Sequence, residues 1–215
     1  MTPTSTMPWA TERRGGHAND LSFQVEAVDG SLAGDSTRTF RDAVRLRPGY
    51  ALLLVLDFAD LALAASERAR WKHVVRSAGA RSDEPDTILR VLNGALFDAG
   101  LKATASCAVL DARDNLLSVA CAGASPPWVL RARERVVRVQ TSASIELGSL
   151  RGAAFATRRL HFAPRDALLL PSAAWVAHLD ATLAEARPAS GSPADWLRAR
   201  PAPPPDGCVL CMTLR

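Results

Sequence analysis

Residues 51–56 read Ala-Leu-Leu-Leu-Val-Leu, six consecutive apolar side chains with no polar position at either a strand or a helix period. A strand of this kind has no face to offer water, so it has to lie centrally in a layered domain, covered on both sides. It ends at Asp57-Phe58, and the turn signal Arg47-Pro48-Gly49 joins it to an earlier strand expected over residues 37–46. A further strand over 21–28 alternates apolar and polar residues, as a half-buried strand does.

The periods then change along the chain. Residues 61–75 carry apolar side chains near helical spacing. Residues 83–100 mark a second helix more firmly, with acid and Pro85 in the first turn, a stripe of Ile88, Leu89, Leu92, Leu96 and Phe97, and Gly100 at the end. Strand patterns follow over 104–110, 116–121, 128–131, 136–139, 154–162 and 167–170, read as a β-meander with a turn at 111–115. Ser172 is placed to cap a third helix reaching residue 186, Ser192-Pro193 opens a short fourth helix, and 208–214 closes the chain as a strand. This order predicts an α+β fold, an α/β/β/α sandwich of two mainly antiparallel sheets flanked by helices. The first 18 residues have no period and read as a flexible arm, which leaves 19–215 as one domain.

Composition narrows the classes of function. No apolar run approaches the roughly 18 residues of a membrane helix. The N-terminus lacks the basic start and apolar core of a secretory signal, so a cytoplasmic location is expected and no membrane partner. The net charge of +4 is spread as arginines along the chain without basic blocks and interleaved aromatics, so no nucleic-acid partner is expected. Cys107, Cys121, Cys208 and Cys211 are expected to be reduced. The Cys208-Val-Leu-Cys211 spacing falls in a strand, where positions three apart face opposite sides, and buried thiols are favoured over a metal or redox pair. His17, His73, His161 and His178 are scattered, with no nucleophile motif beside them. Tryptophans such as Trp71 and Trp175 read as core or interface residues, with partly exposed recognition groups as the alternative for these two.

Four stretches carry a family resemblance. They are Ala33-Gly34-Asp35-Ser36, the strand running into Asp57, the hairpin from Thr104 to Leu130 with its Ala122-Gly123-Ala124-Ser125-Pro126-Pro127 turn, and Phe162-Ala-Pro-Arg-Asp-Ala-Leu-Leu-Leu-Pro-Ser-Ala-Ala174. The closing Pro205-Asp206-Gly207-Cys208 segment joins them in the right order. Together they resemble the stage II sporulation protein E-like branch of the PPM-type, metal-dependent serine/threonine protein phosphatases, over nearly everything from Leu21 onward.

The resemblance implies one or two Mn²⁺ or Mg²⁺ ions held by Asp35, Asp57 and Asp206, with Asp57 bridging, since hard cations take carboxylate oxygen. It implies dephosphorylation of phosphoserine or phosphothreonine on a bacterial signalling protein, such as an anti-anti-sigma-like partner. Read without the family, Asp35 is a turn residue, Asp57 a strand-end residue capping the next helix, and Asp206 part of a Pro-Asp-Gly turn. The chain also departs from the family pattern. Ala173 and Ala174 stand where the family has Asp-Gly, Ala124 where it has His, and Phe58-Ala59-Asp60-Leu61 where it has a glycine-rich turn whose replacement is expected to crowd the site. Asp60 is the nearest acid for a substitute ligand. Two readings follow: a weakened phosphatase, or a pseudophosphatase that keeps the fold as a protein-binding module.

Overall fold

The computed structural model describes residues 23–29, 38–132, 136–185, 192–200, 204 and 207–214; the arm expected over 1–18 lies outside them. In chain order the elements are β1 (Phe23–Asp29), β2 (Thr39–Arg47), β3 (Tyr50–Phe58), α1 (Ala65–Arg81), α2 (Pro85–Asp98), β4 (Ala103–Asp111) and β5 (Leu116–Ala122). They continue with β6 (Trp128–Leu130), β7 (Val136–Arg138), β8 (Arg158–His161), β9 (Ala167–Pro171), a 3-10 turn (Ala173–Trp175), α3 (Val176–Glu185), α4 (Pro193–Arg198) and β10 (Cys208–Leu214). One sheet has the order β1-β10-β9-β6-β7 and the other β2-β3-β4-β5-β8, and every strand pair within them is antiparallel.

The α/β/β/α sandwich is therefore present, and β3 shows why. Its Leu52, Leu54, Leu56 and Phe58 pack with Trp71 and Val75 of α1 and Ile88, Leu89, Leu92 and Leu96 of α2. Its Ala51, Leu53 and Val55 face the other way, into a second core shared with Leu168, Leu170, Leu210 and Met212 of the opposite sheet. A third core lies under α3 and α4, around Trp175, Leu179 and Leu197. Each leucine so buried stabilises the fold by roughly 1.5–3 kcal/mol. The two closing cysteines divide as strand geometry requires, Cys208 between the sheets and Cys211 under the helices, and all four thiols are free and buried. Burial pushes the Cys208 thiol up to about 11. Trp71 and Trp175 are 1% and 0% exposed, so neither is an exposed recognition group. Among the described residues no helix is long and apolar enough to cross a membrane.

Four sequence expectations need correction. Helix α1 starts at Ala65 and runs on to Arg81, because the Ala64 N–H donates to the Glu67 carboxylate at 3.0 Å and Gly79 lets its last turns lie against the sheet. The strand expected over 154–162 is reduced to Arg158–His161: Ala153 and Phe155 are buried in alternation with exposed neighbours but pair with no strand. The meander is two interleaved sets of strands, since β4, β5 and β8 join one sheet while β6, β7 and β9 join the other. Ser172 takes the N-cap position of the 3-10 turn that leads into α3, but its side chain makes no cap bond: its Oγ accepts the Cys208 N–H at 3.0 Å and its own N–H donates to the Cys208 carbonyl at 2.8 Å.

A long strap, residues 139–157, carries the chain from one sheet to the other. It is pinned, with Leu147 and Ala103 exchanging backbone hydrogen bonds of 2.9 and 3.2 Å. The Asn93 side chain, 2% exposed, accepts the Gly148 N–H at 2.8 Å and donates to the Leu150 carbonyl at 3.0 Å. Gly148 has φ +79°, and a Cβ there would stand 1.9 Å from the Leu101 carbonyl oxygen, so no other residue fits.

Two helix glycines should respond in opposite ways. A Cβ on Gly79 meets Leu46 Cδ2 at 2.8 Å, whereas one on Gly94 meets nothing within 4 Å. Gly79→Ala is expected to destabilise by about 1–3 kcal/mol and Gly94→Ala to stabilise by about 0.5–1 kcal/mol, read from urea denaturation midpoints.

Candidate functional site

The pleat of β3 brings Asp57 to the inter-sheet face just where the apolar run ends. The register sets Thr39 of β2 and Thr104 of β4 directly opposite it, so three polar residues form a row across three strands. From the other sheet, the chain leaves β9 and enters the 3-10 turn at Ala173, which meets the end of this row. These elements enclose a cleft of about 560 Å³ whose wall includes Arg38, Thr39, Asp57, Thr104, Glu146 and Ala173. A second cleft of about 350 Å³ lies beyond Thr104 and Ala173, beside Gly123, Ala124 and Asp180.

Within the described residues the Asp57 carboxylate accepts two hydrogen bonds. Its Oδ1 accepts the Thr39 hydroxyl at 2.7 Å and its Oδ2 accepts the Ala173 N–H at 2.6 Å. Burial raises the carboxyl above its ordinary value of 3.8, and the bonds from Thr39 and Ala173 draw it partly back. Arg38 brings a cation to the same wall and donates to the Ala59 carbonyl at 3.0 Å. Among the described residues the buried Thr104 hydroxyl has no hydrogen-bond partner.

Of the sequence-derived site residues, Asp57 is in the cleft, while Asp35 and Asp206 lie outside the described residues. Asp57 does not cap the next helix, which starts at Ala65 with Ala64 at its N-cap. Asp60 is exposed and is not among the residues that line the cleft. Phe58 does not crowd the site with its ring, which is buried under the helices 5.6 Å from Trp71, although Phe58 and Ala59 both contribute to the wall. Ala124 does not line the main cleft and borders the second one.

Among the described residues no group of three His, Cys, Asp or Glu is placed to hold a metal ion, and Ala173 offers no side-chain oxygen. Asp57 is the one expected ligand within them, and each of its oxygens accepts one hydrogen bond. Sequence reading missed Glu146, Thr104, Thr39 and Arg38 as cleft residues. The opposition of Thr39 and Thr104 to Asp57 follows from strand register once the pairing is known. Glu146 sits on the aperiodic strap, where no sequence signal marks it.

The family profile described as Stage II sporulation protein E (SpoIIE) matches residues 48–183, more than half of the chain. The chain belongs to this family of PPM-type phosphatase-fold proteins. Its similarity to solved structures agrees with that fold. The RsbU and RsbW domains of a Mycobacterium tuberculosis protein share 20% identity and a TM-score of 0.76, over 90% of this chain and 61% of that one. The PP2C phosphatase domain of SpoIIE from Bacillus subtilis, with a fragment of its regulatory domain, shares 15% identity and a TM-score of 0.73, over 90% and 63%. RsbX in complex with magnesium shares 14% identity and a TM-score of 0.64, over 93% and 98%. The chain spans less than two thirds of the first two of these. No curated protein sequence matches it.

The raised Asp57 carboxyl has a consequence for stability. The folded state holds this proton more tightly than the unfolded state, so the contribution is fully present below the unfolded value near 3.8 and is lost as pH rises through the folded value. In urea titrations at successive pH values through this acidic range, wild type is expected to show that decline and Asp57→Asn to lack its share of it.

Proposed function

We propose that this chain is a regulatory member of the SpoIIE family that works by binding a signalling protein through its cleft, as a catalytically inactive pseudophosphatase. The observation that carries this reading is the bond from the Ala173 N–H to Asp57, at the position where the family pattern has a second carboxylate. A backbone amide now takes an oxygen that the family's chemistry would direct at a cation. The partner proposed is a regulatory protein of the partner-switching kind, phosphorylated and anti-anti-sigma-like, in the cytoplasm. Support for that class comes from the solved neighbours, which include an RsbU and RsbW pair and a bacterial stressosome component.

One observation favours the enzyme reading as an alternative: Asp57, the expected bridging ligand, does stand in the cleft. That reading requires Mn²⁺ or Mg²⁺ held by Asp57 together with Asp35 and Asp206, and hydrolysis of phosphoserine or phosphothreonine. Loss of one metal-binding carboxylate is enough to lower such a rate by about 10² or more.

Phosphate release from a phosphoserine peptide, with Mn²⁺ in millimolar excess, separates the two. Wild type is expected to release no more than Asp57→Asn. Mn²⁺-dependent release that the substitution abolishes would establish the enzyme instead.

A further inference from the structure

The bond between Asp57 and the Ala173 amide has a structural side. In a sandwich of two sheets, the ends of strands from opposite sheets are held only by packing unless something polar ties them. Metal ions shared by carboxylates from both sheets supply such a tie where they bind. Here the carboxylate of Asp57, on β3 of one sheet, accepts the N–H of Ala173, the first residue after Ser172 and β9 of the other sheet, 116 positions away in sequence.

Both ends of that bond are anchored. Asp57 is braced on its own sheet by the Thr39 hydroxyl at 2.7 Å. Ala173 follows Ser172, whose N–H and Oγ are both bonded to the Cys208 backbone, at 2.8 and 3.0 Å. Gly207 lets this turn close on β10, since a Cβ there would stand 2.2 Å from Ser172 Oγ. The bond thus joins two preorganised groups, and little ordering is left to oppose it.

We infer that Asp57 has become a structural tie between the two sheets, its carboxylate bonded to the Ala173 amide in the place of metal coordination, so that the shape of the cleft is independent of divalent cations. Such a tie serves folding whether or not a partner occupies the cleft.

The amide can be removed with little other change. Ala173 opens a 3-10 turn, where proline is tolerated, and Ser172 before it is extended, with φ −73° and ψ 164°, as a residue preceding proline must be. Thermal melting of the full chain, its Asp57→Ala and Ala173→Pro variants and the double variant forms a cycle that isolates the bond. Each single variant is expected to melt lower than wild type, and the double variant no lower than the weaker of the two. Additive losses would overturn the tie. Wild type is also expected to melt at one temperature with Mn²⁺ or with EDTA, and a clear rise with Mn²⁺ would overturn cation independence. If Ala173→Pro fails to fold, hydrogen exchange at the Ala173 amide decides: slow in wild type and fast in Asp57→Ala supports the tie, whereas equal rates sink it.

Discussion

Strand β3 depends on cover from both sides, and most of the architecture can be read as the means of providing it. Its odd and even residues lie in two different cores, one closed by α1 and α2 and the other by the opposite sheet. Because the two cores back onto the same strand, both draw on long-range sheet pairing, whose loop-closure cost comes before its contacts are gained. The cleft is a by-product of this arrangement. At Asp57 the apolar run stops, the sheets part, and the first polar side chain of β3 on the inter-sheet face stands at the opening.

Local signals made much of this legible. The alternation in β1, the Pro85 start and Gly100 end of α2 and the turn at 111–115 are short-range effects, and the structure keeps them: Asp111 accepts the Arg113 N–H at 2.9 Å, and Asn115 takes φ 52°. The opposite facing of Cys208 and Cys211 needs only a period of two. What local pattern does not contain is the choice of partner. Trp128 pairs with Leu169 and Arg138 rather than with β5, and no periodicity within 128–130 encodes that. The strap misled for a related reason, because alternating burial of Ala153 and Phe155 against the helices imitates a strand, while the strap's backbone is held by one isolated bridge to Ala103 and by the Asn93 side chain.

The site was legible to a different depth. Motif order put Asp57 at the cleft and marked Ala173 as a missing carboxylate. It gave no indication that the Ala173 backbone would itself bond to Asp57, since a main-chain donor leaves no trace in the side-chain code. Glu146 was invisible in the same sense, being delivered by the strap rather than by a strand end.

The motifs that survive are those that fold the chain. Asp166, in Pro-Arg-Asp, is 2% exposed and accepts the Ala163 N–H at 2.9 Å, the Ala132 N–H at 3.0 Å and the Arg131 guanidinium at 2.6 Å, which closes the turn into β9. Arg165 beside it holds φ 72°, a left-handed conformation costing roughly 1–2 kcal/mol for a residue with a Cβ, where the family pattern has glycine. The turn has therefore kept its backbone path after losing the residue that made it easy, because Asp166 and the Arg165 N–H bond to the Leu214 carbonyl at 2.7 Å hold it there. Residues facing the two clefts show the reverse. Ala173, Ala174 and Ala124 are small, demand no particular backbone, and stand where the family pattern has Asp, Gly and His. Retention of turn-forming groups beside substitution at Ala173, Ala174 and Ala124 is the pattern that the proposed pseudophosphatase predicts, and a tie between Asp57 and the Ala173 amide would let the shape of the domain persist without a metal.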